Sequence, residues 1–227
     1  MESYLLKASA ILGIFLLIYQ LLLRKETFFT LNRLFLLSGI GTALLLPLVT
    51  IQEEVIVPME LIQARVPSGI NAAIPESSIG WDVILRAGYL LGALFFTGIA
   101  GRQILSLIGL MRNHRTERTE GVVLVPTDQI QSPFSFFRYI FYNPGAHDKD
   151  ELQQILEHEK AHARQLHSLD VLLGRVTAIL LWINPLAWWY QKSIQQNLEY
   201  LADAQAVRNL TSVKEYQSTL LKVSGNT

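Results

Sequence analysis

The sequence contains no cysteine. Disulfides are therefore excluded, and any metal ion must be held by nitrogen and oxygen rather than thiolate. Charge is also scarce: 17% of the 227 residues are Asp, Glu, Lys or Arg, and the two signs cancel to a net charge of zero. Neither a basic patch with interleaved aromatics nor a phosphate-cradling glycine loop is present, so nucleic acids and nucleotides are not expected as direct partners.

What the chain has in abundance is apolar surface. Half of its residues are hydrophobic and the mean hydropathy is +0.28, high for a soluble domain. Three runs account for this: Tyr4–Leu23, with Lys7 near one end; Leu34–Ile51, without charge; and Ala87–Leu110, interrupted by Arg102. Each is long enough to cross a hydrocarbon core of about 30 Å as a helix. The first is not a secretory signal, because Arg24-Lys25 follows its apolar run and no small-residue cleavage site comes after. Gly88 and Gly92 give the third run a G-x-x-x-G packing pattern, a weak signal in membrane helices. Loop charge sets the orientation. Arg24, Lys25 and Arg33 follow the first run and Arg112, Arg115 and Arg118 the third, whereas loop 52–80 carries Arg65 against Glu53, Glu54, Glu60 and Glu76. The positive-inside rule then places the N-terminus and loop 52–80 outside and everything after residue 110 in the cytoplasm. The expected organisation is a membrane domain over 1–110, with helices 4–23, 34–51 and 87–110, and a cytoplasm-facing domain over 111–227.

The second domain carries the chemistry. His158-Glu159-Lys160-Ala161-His162 is an H-E-x-x-H motif. On a helix, residues four apart share a face, so both histidines can direct a ring nitrogen at one zinc ion. Glu159 sits one step round, within reach of the attacking water without itself binding metal. Two histidines do not suffice for catalytic zinc, which takes three protein ligands and keeps a fourth position open. Glu199, in Glu199-Tyr200-Leu201-Ala202-Asp203, is the natural third ligand, and Asp203, one turn on, is placed to accept the free N–H of a ligand histidine, His158 foremost. The bland alternative is a solvated helix. It is disfavoured because Ile155 and Leu156 would bury the helix's other side and because E-x-x-x-D follows independently. A zinc site serving only as a clamp in a non-catalytic signalling module is the competing function. Closed structural sites usually fill the fourth position with a protein ligand, often cysteine, and this chain retains the Glu159 base.

Val171–Tyr190 is apolar enough to span, yet His162 precedes it, Glu199 follows it, and both must reach one ion. A straight crossing would separate them across the bilayer. Asn184-Pro185 breaks the helix, since proline removes a donor and disfavours helix at the residue before it. The stretch 171–190 is therefore read as a helical hairpin, buried in the catalytic domain or dipping into the membrane, with Trp182, Trp188, Trp189 and Tyr190 suited to an interface. Val122–Val125 and the Ser132–Tyr142 stretch read as strands, closed by the Asn143-Pro144-Gly145 turn, with Asp148 and Glu151 capping the motif helix. A strand beside the motif helix would either pair with a peptide substrate or simply cover the core. Tyr200, His167 and Tyr216 are unranked oxyanion donors. His167, five residues past His162, is off the ligand face and is assigned surface or structural duty; His114 and His147 are read as solvated. Asp170 is either a group supporting the ligands or a helix-surface acid.

The apolar runs ahead of the motif, Ser132-Pro133-Phe134, Ile155 through His162, Asp170, Asn184-Pro185-Leu186-Ala187-Trp188 and Glu199 through Asp203 together resemble the BlaR/MecR-type membrane metallopeptidases, the antirepressor class of gluzincins. The run from His162 through His167 to Asp170 is similar to the Bacteroidetes-type branch. The resemblance implies a mainly α membrane protein: three transmembrane helices and a gluzincin-type zinc peptidase domain with a small β element. It implies multi-pass residence in a bacterial inner membrane and a zinc endopeptidase switched on by an extracellular signal. It also implies cleavage of itself or of a transcriptional repressor. The expected partners are the lipid bilayer and a protein or peptide substrate, with homodimerisation left open. Relatives continue into a further transmembrane helix and a sensor domain. Here the sequence stops at Thr227 after an amphipathic Val213–Val223 stretch, so it is expected to be a fragment or to lack the sensing half, and the signal is not identified.

Overall fold

The computed structural model describes residues 2–49, 80–113 and 116–209. Nearly all of loop 52–80, His114, Tyr216 and the Val213–Val223 stretch lie outside the described residues. The chain begins with α1 (Glu2–Ile18), which continues as a π-helical turn, Tyr19–Leu23. Helix α2 (Phe29–Leu45) follows and tightens into a 3₁₀ turn at Leu46–Leu48, where Pro47 ends regular helix. The long α3 (Trp81–Asn113) leads into the sheet. Among the described residues, three helices are long and apolar enough to cross a membrane: Ser3–Leu23, Phe29–Leu48 and Trp81–Arg112. The second begins at Phe29 rather than Leu34 and the third runs past both expected ends. Hydropathy trims polar residues from a span, whereas backbone hydrogen bonding continues through them. Nothing in the most apolar window of α3 is buried within the protein. A helix so exposed and so apolar has the length and composition suited to a bilayer.

Four short strands form one sheet: β1 (Glu117–Thr119), β2 (Val122–Pro126), β3 (Phe134–Phe136) and β4 (Tyr139–Tyr142). Their order is β1-β2-β4-β3, with β2 and β4 parallel and the outer pairs antiparallel, so β3 is an edge. Helix α4 (Lys149–Arg164) packs on the sheet through Ala163 against Val122 and Ile140. Asp148 occupies the N-cap position of α4, its carbonyl accepting the first helical bond from Leu152, but its side chain makes no capping bond, so that part of the expected capping is not formed. The turn after β4 is held as anticipated, with the Gly145 N–H donating to Asn143 Oδ1 over 3.0 Å.

Helices α5 (His167–Leu180) and α6 (Pro185–Asn209) fold back on one another across Leu181–Asn184. Asn184 Oδ1 accepts from the Leu186 N–H at 2.9 Å and Pro185 takes the first helical position, where a missing donor costs nothing. This is the hairpin anticipated over 171–190. It does not stand apart from the N-terminal helices. Leu12 and Leu16 of α1, Leu36 and Ile40 of α2, and Tyr190, Ile194 and Leu198 of α6 belong to one buried apolar cluster. Polar clamps fix the register within it. The Tyr190 hydroxyl donates to the Leu36 carbonyl at 2.7 Å, and Gly39 makes room for it, since a Cβ there would collide with that hydroxyl. Asn197 Nδ2 donates to the Phe29 carbonyl and Gln20 Nε2 to Ser193 Oγ, each over 3.0 Å. The division expected at residue 110 thus separates two stretches of sequence that share a core. Gly92 of α3 receives the indole of Trp182, which any Cβ would strike, whereas Gly88 faces open space. Of the G-x-x-x-G pair, one glycine is used for packing.

Candidate metal centre

Helix α4 turns Ile155, Ala161 and Ala163 inward and leaves His158 and His162 side by side at its inner edge. Lys160 points elsewhere, pairing with Glu157 at 2.7 Å and Glu120 at 3.5 Å. The Nε2 atoms of His158 and His162 are 3.1 Å apart. Glu199, delivered by α6 after the hairpin returns, places Oε2 3.3 Å from His158 Nε2 and 3.7 Å from His162 Nε2. Ligands bound tetrahedrally at about 2.1 Å are separated by about 3.4 Å. Three donors at 3.1–3.7 Å from one another therefore already stand on the edges of such a tetrahedron, and they are the group among the described residues that could hold a metal ion.

Each histidine has a second partner. His158 Nδ1 lies 2.9 Å from Asp203 Oδ1, where Asp203 was expected. If Nε2 faces a metal, Nδ1 carries the proton and donates to the carboxylate, so the contact fixes the tautomer. His162 Nδ1 lies 2.9 Å from His167 Nδ1, and His167 Nε2 lies 3.3 Å from Gln165 Oε1. The same logic makes His162 the donor, His167 the acceptor and Gln165 the end of the chain. His167 is 2% exposed, so of the surface and structural duties weighed for it only the structural one remains. The reason is local. A residue five on lies off the ligand face while the helix continues, but α4 ends at Gln165, and Leu166 adopts left-handed φ of 52° and ψ of 40°, swinging His167 back onto its neighbour. No sequence signal marks this break, because leucine rarely adopts that conformation.

Asp170 does not meet the ligand histidines. It is buried and forms an ion pair with Arg33 Nε at 2.6 Å, while Arg33 Nη2 donates to the Gln165 carbonyl at 3.1 Å. Arg33, read as a loop charge, belongs to α2 and ties that helix to the start of α5. His147 is half-buried rather than solvated, its Nε2 shielded from water. Tyr200 lies tilted against Phe29, with centroids 5.6 Å apart, and its hydroxyl accepts from Gln196.

Charge at the centre is strongly coupled. Burial alone would depress His158, but hydrogen bonds to Asp203 and Glu199 outweigh it and push the imidazole up to about 10. Burial raises Glu199, yet the hydrogen bonds from His158 and His162 hold its carboxyl well below the ordinary range. Glu159 is raised by burial and by the charge of Glu199, opposed by the two histidines and by a hydrogen bond from the Ser135 hydroxyl. Ser135 on β3 was not singled out from sequence. Burial, aided by the neighbouring charges of His162 and Arg33, drives His167 down to about 3 and keeps it neutral. The sign for His158 is clear: its value lies above the free value of 6.5, so below pH 10 the metal-free protein holds a proton that an entering metal must displace. Between pH 7 and 9 the apparent metal affinity should rise about tenfold per pH unit, with about one proton released per ion in a weakly buffered titration. Affinity independent of pH in that window would show that His158 holds no such proton in the metal-free protein.

A cavity of about 710 Å³ opens in front of the triad. Its walls are Ala100, Gln103 and Ile104 of α3, Phe134–Phe136 of β3, Glu159 of α4, Val171 and Arg175 of α5, and Gln191 and Gln195 of α6. A half-buried carboxylate base, three convergent metal donors and an edge strand thus face one space of ligand size.

Residues 110–227 match the family described as BlaR1 peptidase M56. The chain is also similar to the Regulatory protein BlaR1 of Staphylococcus aureus, 26% identical over 120 residues, which is 49% of this chain and 20% of that protein. The match therefore spans about a fifth of the relative's length.

Proposed function

The chain belongs to the BlaR1 peptidase M56 family, a family of membrane signal-transducing metallopeptidases, and from that premise we propose that it is a zinc endopeptidase cleaving itself or a cytoplasmic regulatory protein. The observation that carries this reading is the spacing of His158 Nε2, His162 Nε2 and Glu199 Oε2 on the edges of one tetrahedron, with Glu159 beside them on the same cavity. The donor set of two imidazoles and one carboxylate suits zinc. When bound, zinc supplies Lewis acidity, polarising a carbonyl and lowering the pKa of water to about 7. The protein's own groups do the rest. Glu159 accepts a proton from the attacking water and passes it to the leaving amine, and its raised affinity for protons suits both steps. Ser135 orients that carboxylate. Asp203 and His167 hold the two imidazoles in the tautomer that leaves Nε2 free. Edge strand β3 gives an extended peptide a backbone to pair with.

Stripping the metal from the purified protein in detergent with a chelator should abolish cleavage of an unstructured peptide, and about one equivalent of zinc should restore it. Zinc-loaded protein that cleaves no peptide from a broad library would defeat the proteolytic reading.

The same reading fixes a location: a bacterial inner membrane, crossed by three helices, with the metal centre facing the cytoplasm. Support comes from the apolar helices and from a hairpin that brings His158 and Glu199 to one end of the bundle. Single cysteines at Gln153 and Arg208 should both be protected from a membrane-impermeant thiol reagent in intact cells and react after permeabilisation, while one at Ser68 should react without it. Labelling at Arg208 from outside would refute the shared aqueous face.

A further inference from the structure

Arg175 is a cation with no counter-ion among the described residues. It lies on α5 within an apolar sequence, is half-buried, and pairs with no carboxylate among the described residues. Its guanidinium sits over the Trp188 ring, 5.4 Å from the centroid, and that indole is itself fixed by donating to the Trp182 carbonyl at 3.0 Å. An isolated charge in such surroundings is costly unless it meets a partner of opposite charge. Gln191 presents a polar amide to the same space. It is 8% exposed, lines the cavity, and its amide makes no hydrogen bond among the described residues.

The two side chains share a level of the hairpin, since Gly174 packs on the Cγ and Cα of Gln191. On α6, Gln191, Gln195 and Glu199 are spaced four apart and form one stripe along the cavity; on α5, His167, Val171 and Arg175 form the facing one. Eight residues of helix rise about 12 Å. The cavity is therefore a track about 12 Å long, with the metal donors at one end and an unneutralised guanidinium at the other. An extended peptide rising about 3.3 Å per residue covers that length in three to four residues.

We propose that Arg175, with Gln191, forms a subsite reading an acidic side chain three to four residues from the scissile bond of the substrate. This rests on the proteolytic reading of the metal centre. A carboxylate is the group a planar guanidinium binds best, by two parallel hydrogen bonds, and the stacked indole prealigns the fork. A lipid phosphate carries the same charge but would come from the bilayer side. The exposed apolar stripe of α5 runs through Leu169, Leu173, Val176 and Leu180, and Arg175 lies well round the helix from it, on the cavity wall. Gln191 then satisfies the peptide backbone at the same level.

The test uses the zinc-loaded full chain in nanodiscs and matched peptides differing only in Glu, Gln or Lys at each position up to four from the cleaved bond. The wild type should favour Glu over Gln by 10- to 100-fold in kcat/KM at one position three or four residues from the bond, mainly through KM. Arg175→Gln should bring that ratio to about one, and Arg175→Glu should invert it in favour of Lys. A wild type without acid preference there, or an Arg175→Gln variant that keeps it, overturns the subsite. If no peptide is cut, the proteolytic reading fails separately; anisotropy with the same peptides on Glu159→Gln protein then decides the subsite, and equal binding of Glu and Gln peptides overturns it. Arg175-dependent selectivity for phosphatidylglycerol over phosphatidylcholine nanodiscs, with no peptide preference, would overturn it in favour of a lipid.

Discussion

Glu159→Gln should leave about one zinc per chain in place while peptide cleavage falls by 10²-fold or more, the scale of a lost general base. The carboxylate of Glu159 lines the cavity next to the donors without being one of them, so its charge is not needed to hold the ion. Glutamine keeps the shape and can still accept from the Ser135 hydroxyl, and what disappears is the capacity to take up a proton. Zinc content and cleavage must be followed together. Unchanged cleavage would reject Glu159 as the base, and lost zinc would make it part of the ligand assembly. A module using zinc only as a clamp would show neither change.

Glu199→Ala should abolish tight zinc binding, because it removes one of three direct donors. Asp203→Ala should weaken binding by only 10- to 100-fold, the usual cost of losing a partner of a ligand histidine. His167→Ala should fall in the same range as Asp203→Ala, since it supports His162 as Asp203 supports His158. A competition titration with a chromophoric chelator separates the classes. If Asp203→Ala emptied the site while Glu199→Ala kept it filled, the assigned roles would be reversed.

The triad was legible because two regularities meet in it: helical periodicity puts His158 beside His162, and zinc chemistry requires a third donor. The hairpin was legible for a geometric reason, since a metal shared by residues on either side of an apolar stretch forbids a straight crossing and Asn184-Pro185 marks the turn. Hydropathy alone would have counted a fourth span there. What escaped notice depended on contacts between distant segments. Arg33 looked like a loop cation because nothing local reveals that Asp170 will meet it. His167 looked misplaced because its position depends on one left-handed leucine. Ser135 and Arg175 acquire meaning once β3 and α5 are seen to line one cavity.

The shared core has a consequence for what can be cut away as a unit. The stretch that matches the peptidase family begins at residue 110, yet Tyr190, Ile194 and Leu198 within it are covered by α1 and α2, which come from outside that match. The stretch that matches is thus smaller than the unit that packs together. Excised at residue 110, that segment would carry an uncovered greasy seam where α1 and α2 now lie, and it should aggregate or fail to fold unless those two helices are kept with it.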